Sequence, residues 1–259
     1  MRYEKMTKGV AIVTGSSQGL GKAIAHRLSC DGFAVVINDI ASKGDQIDAV
    51  VQELRASGGK AIGIAADVTK RAEVQNLVDV ATEQLGPLRV MVANAGLGHA
   101  DGIFELTEEH VQRILDVNVA GVFNCYVVAG KKMLDQRKGG KIIGATSIAA
   151  FKGMAMVSAY TASKWAVRGL TQVWLLVNCY APGIVGTPMW EVLEDKLEKT
   201  GTPKKEGLNQ MQSLATTITT LGRVSVPEDV ANAVSFLSGS DSDWVTGQSL
   251  VVDGGIAFN

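Results

Sequence analysis

The stretch Thr14-Gly15-Ser16-Ser17-Gln18-Gly19-Leu20-Gly21 follows an apolar, β-branched run at residues 10–14 and leads straight into a helical period over residues 22–29. That order of strand, glycine turn and helix decides the fold. Glycines let the backbone turn sharply and let a pyrophosphate approach, while the helix beyond aims free N–H groups and its positive dipole end at the same point. The spacing is T-G-x-x-x-G-x-G rather than G-x-G-x-x-G. An ordinary strand-to-helix turn is the competing reading; the flanking elements favour the dinucleotide one.

Outward from this turn, further apolar runs recur at residues 34–39, 61–66, 90–93, 141–145, 175–180 and 249–252, with helical periods at 22–28, 45–54 and 73–85 between them. This βαβ alternation predicts an α/β fold with a doubly wound parallel sheet of about seven strands. No repeat or linker divides the chain, so one domain is expected over 1–259. Residues 191–219, rich in charge, Gly and Thr, interrupt the pattern after a Pro-Gly turn. They are read as part of a small helical substrate flap at about 188–220.

Of the 259 residues, 46% are apolar and 20% charged, enough for a large core, and the formal charge is -1. No basic field draws nucleic acid or anionic lipid. Cys30, Cys125 and Cys179 are odd in number and far apart, which points to a reducing compartment rather than a disulfide framework. The start MRYEKMTKGV lacks the apolar core of a secretory signal, and no run approaches a membrane span, so a cytoplasmic protein is expected.

Asp39 ends the second run, 18 positions beyond Gly21. A carboxylate there accepts hydrogen bonds from ribose hydroxyls and repels a 2′-phosphate, and Gln18 supplies no compensating cation, so NAD is expected over NADP. Lys43 is the one nearby cation that weakens this reading; a solvated helix-start lysine is its alternative. Tyr160 and Lys164 stand at i and i+4, one helical face. An ammonium close to a phenol favours the phenolate, which makes Tyr160 the candidate acid/base and Lys164 its tuner. Ser147, 13 residues before Tyr160, ends a strand where its hydroxyl can hold a substrate oxygen. Asn118 is an awkward helix residue, either positioning a water for proton relay or simply an exposed polar position.

The glycine turn with Asn118, Ser147, Tyr160 and Lys164 resembles the short-chain dehydrogenase/reductase family in order and spacing over nearly the whole chain. The resemblance implies a Rossmann-type sheet in the order 3-2-1-4-5-6-7, a single oxidoreductase domain over 1–259, and hydride transfer without a metal. It implies cofactor contacts from Gly15, Ser17, Gln18, Gly19, Leu20, Asp39, Asp67, Val68, Asn94 and Gly96. Tyr160 and Lys164 are implied on the ribose side, and the Pro182, Gly183, Val185 and Thr187 loop beside the nicotinamide. Within the family, residues 180–190 and the ending Asp253-Gly254-Gly255-Ile256-Ala257-Phe258-Asn259 look like acetoin and diacetyl reductases, also described as 2,3-butanediol dehydrogenases. Ile148 and Trp190 then line a small apolar pocket, with flap packing the alternative for Trp190. Polyol or sugar reduction is the competitor. His26, His99 and His110 fit no ligand spacing, and surface or helix-cap roles are expected for them.

One departure stands out. Only 17 residues lie between Lys164 and Pro182, about eight fewer than the family pattern, worth ~12 Å of helix. Closure requires both the helix and the following strand to retract by ~8 Å, with residues 173–176 exposing apolar surface. The family implies a homo-oligomer, tetramer or dimer, yet the shortened helix belongs to an expected interface. A catalytically impaired NAD-binding protein is therefore the alternative to a working enzyme.

Overall fold

The computed structural model describes residues 7–174, 176–190 and 206–257. Seven parallel strands form one sheet: β1 (Val10–Thr14), β2 (Ala34–Asp39), β3 (Ala61–Ala65), β4 (Leu88–Ala93), β5 (Lys141–Ala145), β6 (Val177–Pro182) and β7 (Ser249–Val252). Their order is β3-β2-β1-β4-β5-β6-β7, as the family resemblance implied. Successive side chains of a strand face opposite sides, so β1 feeds two cores. Val10 and Ile12 join Leu77, Tyr126 and Val167 on one face, whereas Ala11 and Val13 join Ile24, Ile47 and Val234 on the other. Each fully buried aliphatic side chain here contributes roughly 1.5–3 kcal/mol.

The helices α1 (Gly19–Cys30) and α2 (Gly44–Ala56) cover the second face, and α3 (Arg71–Leu85) the first. Next, α4 (Glu108–Leu115), a π-helical turn at Asp116–Gly121 and α5 (Val122–Gln136) run on as one helix. Thr107 starts it by accepting from the His110 N–H, with Glu108 and Glu109 favourable to the dipole in the first turn. The combined Glu108–Gln136 helix spans 29 residues with a window of mean hydropathy 1.2, so by length and composition it could cross a bilayer. This corrects the expectation that no segment is long enough. Its apolar residues Val122, Tyr126, Val128 and Ala129 are buried in the core, which accounts for that composition.

The shortened arm closes. Helix α6 (Ser158–Gln172) ends early, and β6 begins at Val177 rather than at 175. The turn between them puts Leu176 at φ 57, and the Leu176 N–H donates to Thr246 Oγ1 at 3.0 Å. Apolar exposure here is partial: Val173 is 76% and Leu176 43% exposed, while Trp174 packs on the core beside Gly130. In the flap, α7 (Gln210–Ile218) is helical and opens with an Asn209–Gln212 capping box; residues 191–205 of the predicted flap lie outside the described residues. Finally α8 (Pro227–Ser238), started by Pro227, packs its Val230, Val234 and Leu237 with α1's Ile24 and Leu28.

Candidate active site

Strand order reverses between β1 and β4, and ligands of such sheets bind beyond the carboxyl ends of the strands at that point. A cleft of about 820 Å³ lies there, lined by residues that follow β1, β2, β4, β5 and β6. Gly15 and Gly19 hold φ 61 and 56, conformations a side chain resists. A Cβ on Gly21 would overlap the Gly15 carbonyl and come within 2.6 Å of Asn94 Nδ2. Helix α1 starts at this turn with no side-chain cap on its first N–H groups. Uncapped donors at a close-packed glycine turn fit the diphosphate of a dinucleotide.

The expected cofactor residues Gly15, Gln18, Gly19, Leu20, Asp39, Asp67, Val68, Asn94 and Gly96 line the cleft, as do Pro182, Gly183, Val185 and Thr187 on the other wall. Lys43 lines it too, so the cation that weakens the NAD reading stands at the site. Ser17 does not reach the cleft lining. Its hydroxyl donates to Asp39 Oδ2 at 2.6 Å, fixing the carboxylate, while Asp39 Oδ1 accepts from the Ile40 N–H at 2.9 Å. Asn94 spends its amide on the fold. Its Nδ2 donates to the carbonyls of Thr14 and Gly15, and its Oδ1 accepts from the Tyr180 hydroxyl at 2.7 Å. Tyr180, in the sequence merely a strand residue, thus ties β6 to the glycine turn.

Ser147 follows β5 and is buried; its Oγ accepts from the Ala149 N–H at 3.2 Å, leaving its own proton for another acceptor. Tyr160 and Lys164 project from α6 into the same cleft. Lys164 is 3% exposed, donates to the Ala145 carbonyl at 2.9 Å, and holds Nζ 5.4 Å from the Tyr160 ring centre. Burial depresses its pKa to about 8. For Tyr160, burial raises the pKa and a hydrogen bond involving the Ser147 hydroxyl opposes it. The expectation that Lys164 dominates the phenol's acidity therefore gives way in the resting chain: both groups share one dry enclosure, which disfavours both charged forms.

Asn118 is not the exposed polar position of the alternative reading. It is fully buried in the π-helical turn, where its Nδ2 donates to the Leu97 carbonyl and Ser163 Oγ while its Oδ1 accepts from the Leu97 N–H. A Cβ on Gly96 would lie 3.3 Å from Asn118 Oδ1 and 3.5 Å from Lys164 Nζ. The amide therefore pins the loop that carries Gly96 against α6. Sequence reasoning missed Ser163, which links Asn118 to the Tyr160 carbonyl.

Ile148 and Trp190 both line the cleft, with Met154, Val157 and Met189 nearby. So do several polar residues that were not anticipated, among them His99, Glu109, Gln112, Arg113 and Asp116. His26 sits on α1 beside Glu53, a surface role as expected. His99 and His110, for which surface or helix-cap roles were expected, bring their rings together, with centres 4.2 Å apart and planes tilted by 39°.

Residues 9–198 match the family described as short chain dehydrogenase. The chain is a short-chain dehydrogenase/reductase. Members of this family are oxidoreductases that bind nicotinamide cofactors, and this dehydrogenase/reductase is an enzyme of that kind. It is 42% identical to an L-2,3-butanediol dehydrogenase of Corynebacterium glutamicum, covering 96% of this chain and 99% of that protein. It is 45% identical to a diacetyl reductase, (S)-acetoin forming, of Staphylococcus aureus, covering 96% and 98%. Among solved structures, a gluconate 5-dehydrogenase from Burkholderia cenocepacia in complex with NADP and tartrate is similar, with TM-score 0.84, 27% identity and coverage of 97% and 96%.

Proposed function

We propose that this short-chain dehydrogenase/reductase moves hydride between NAD(H) and a small ketone or secondary alcohol, most specifically diacetyl, acetoin or 2,3-butanediol. The carrying observation is the Ser147–Tyr160 pair, hydroxyl beside phenol, with Lys164 one helical turn along in the same cleft. A bound nicotinamide dinucleotide supplies or accepts the hydride. In reduction, the Ser147 hydroxyl donates to the substrate carbonyl oxygen, and the Tyr160 phenol passes its proton to that oxygen as negative charge develops. The raised pKa of Tyr160 suits it as this donor, since the phenol is loaded with its proton at neutral pH. The Lys164 cation then steadies the phenolate until a proton returns from solvent.

Asp39 favours NAD: fixed by Ser17 and the Ile40 N–H, it presents an immobile negative charge where a 2′-phosphate would lie. Lys43 is the opposing cation. Ile148, Met154 and Trp190 favour a small, largely apolar substrate. Arg113 in the cleft favours a second reading, a sugar acid whose carboxylate it would pair. The enzyme is further proposed to act in the cytoplasm as a homo-oligomer, without nucleic-acid or membrane partners. Its three free cysteines, Cys125 and Cys179 buried, suit a reducing compartment.

A steady-state screen of NADH and NADPH against diacetyl, acetoin and 5-ketogluconate tests cofactor and substrate together. Oxidation of NADH with the first two is expected. Preference for the keto acid selects the second reading, and no turnover with a wide panel of ketones and polyols, in protein that binds cofactor, removes both.

A further inference from the structure

We propose that His99, Asp101 and His110 form a binding site for a divalent cation of the zinc class, beside the cleft and separate from the reacting groups. Their ligand atoms all lie within 4.8 Å of one another, and all three residues are partly buried. Two imidazoles and one carboxylate are a donor set suited to zinc and its neighbours. With metal–ligand bonds near 2.0–2.1 Å, a tetrahedral site needs its donors about 3.3 Å apart. Side-chain rotations of an ångström or so reach that spacing from the present cluster.

The supports are fixed from two directions. His99 and Asp101 stand on the segment after β4, where the Asp101 N–H donates to the Met156 carbonyl at 2.8 Å. His110 stands in the first turn of α4, held by its N–H bond to Thr107 Oγ1 at 3.2 Å. The two rings lie with centres 4.2 Å apart at a tilt of 39°, and His99 Nε2 meets Asp101 Oδ2 at 2.5 Å. His110 Nδ1 is shut off from solvent and has no hydrogen-bond partner among the described residues. A buried imidazole nitrogen left this way is costly, and a metal ion is a partner that would remove the cost. The local charge favours one: residues 99–112 contain Asp101, Glu105, Glu108 and Glu109 and no Lys or Arg, the first cation being Arg113.

Three protein donors leave coordination positions for water. Because His99 also lines the cleft, the ion would tie the Leu97–Asp101 loop region to α4 and stiffen that wall. The histidines escaped sequence analysis because they are 11 positions apart and on different elements. The chain has only three histidines, so His26 is the natural control.

Tag-free protein is stripped with chelator and titrated with Zn²⁺ by calorimetry, and with Co²⁺ while its visible absorption is followed. About one ion per chain is expected, with His99→Gln, Asp101→Asn and His110→Gln each weakening binding about tenfold or more and His26→Gln leaving it unchanged. X-ray absorption of the zinc-loaded parent, which needs no variant, should show two imidazole ligands. Absence of binding by the parent, a spectrum with fewer than two imidazoles, or unchanged affinity in folded His99→Gln and His110→Gln chains overturns the site and leaves only a hydrogen-bonded cluster.

Discussion

At the residue scale, Tyr160 and Lys164 are a phenol and an amine under the same desolvation, and their consequences separate experimentally. Replacing Tyr160 with Phe removes the transferable proton and almost nothing else. The expected loss in kcat/KM is roughly 10²–10⁴-fold, with cofactor affinity, measured by quenching or calorimetry, held within a few-fold. A variant that kept most of its activity would remove Tyr160 from the proton path. Lys164 carries a pH signature. Its folded pKa is about 8 against a usual value of 10.5, so between those limits the folded chain sheds its proton before the unfolded one does. The unfolded state then binds more protons and stability from this group rises with pH, by up to about 3 kcal/mol across the window. Cys125, Cys179 and the buried tyrosines oppose it, because their raised pKa values hold protons in the folded state that unfolded chains release above about pH 9. The clean comparison is therefore with Lys164→Met. Its stability advantage in urea melts should shrink between pH 8 and 10.5, and an advantage constant with pH would refute the buried-amine account.

At the element scale, the shortened arm is bought with backbone strain at one residue. A leucine in the left-handed region costs about 1–2 kcal/mol, whereas Asn enters it more easily. Leu176 sits there at φ 57 with 43% of its surface exposed, so little packing is forfeited on replacement. Leu176→Asn is expected to raise stability by roughly 0.5–1 kcal/mol, seen as a higher urea midpoint at unchanged slope. A lower midpoint would mean that the leucine side chain, not the turn, holds the arm shut. This arm also shows what was legible in the chain. Strands with uninterrupted apolar runs, β1, β2, β5 and β7, begin and end where their sequences say. Strand β4 starts at Leu88, earlier than its apolar run, because Arg89 can sit in the strand while its guanidinium reaches the Lys138 carbonyl. Strand β6 starts later than its run because the short connection consumes residues that would otherwise pair. The glycine turn, Ser147, Tyr160 and Lys164 were readable since each lies at or just beyond an element whose period is plain. The duties of Asn118 and Asn94 and the meeting of the His99 and His110 rings were not, because they depend on which distant groups the fold brings within reach.

At the scale of the whole molecule, the question is whether a helix that ends early still leaves a surface able to join another copy. Apolar side chains remain exposed on both long helices of this face of the sheet: Phe123 and Leu134 on α5, Trp165 on α6, and Val173 just beyond it. Guanidinium groups lie over two of the rings, Arg71 over Phe123 and Arg168 over Trp165, shielding them in part and offering donors to a partner. Isolated exposed hydrophobes need no partner, but aromatic rings with arginines are the side chains that dominate protein interfaces. Sedimentation at micromolar concentration is therefore expected to give a dimer or tetramer. Trp165→Glu and Phe123→Glu, which place a charge on that face without touching the cleft lining, should shift the particle toward one chain while cofactor binding persists. A parent that sediments as a single chain even at tens of micromolar would show that shortening the arm has cost the enzyme its assembly, and activity in that single chain would then show that catalysis does not need it.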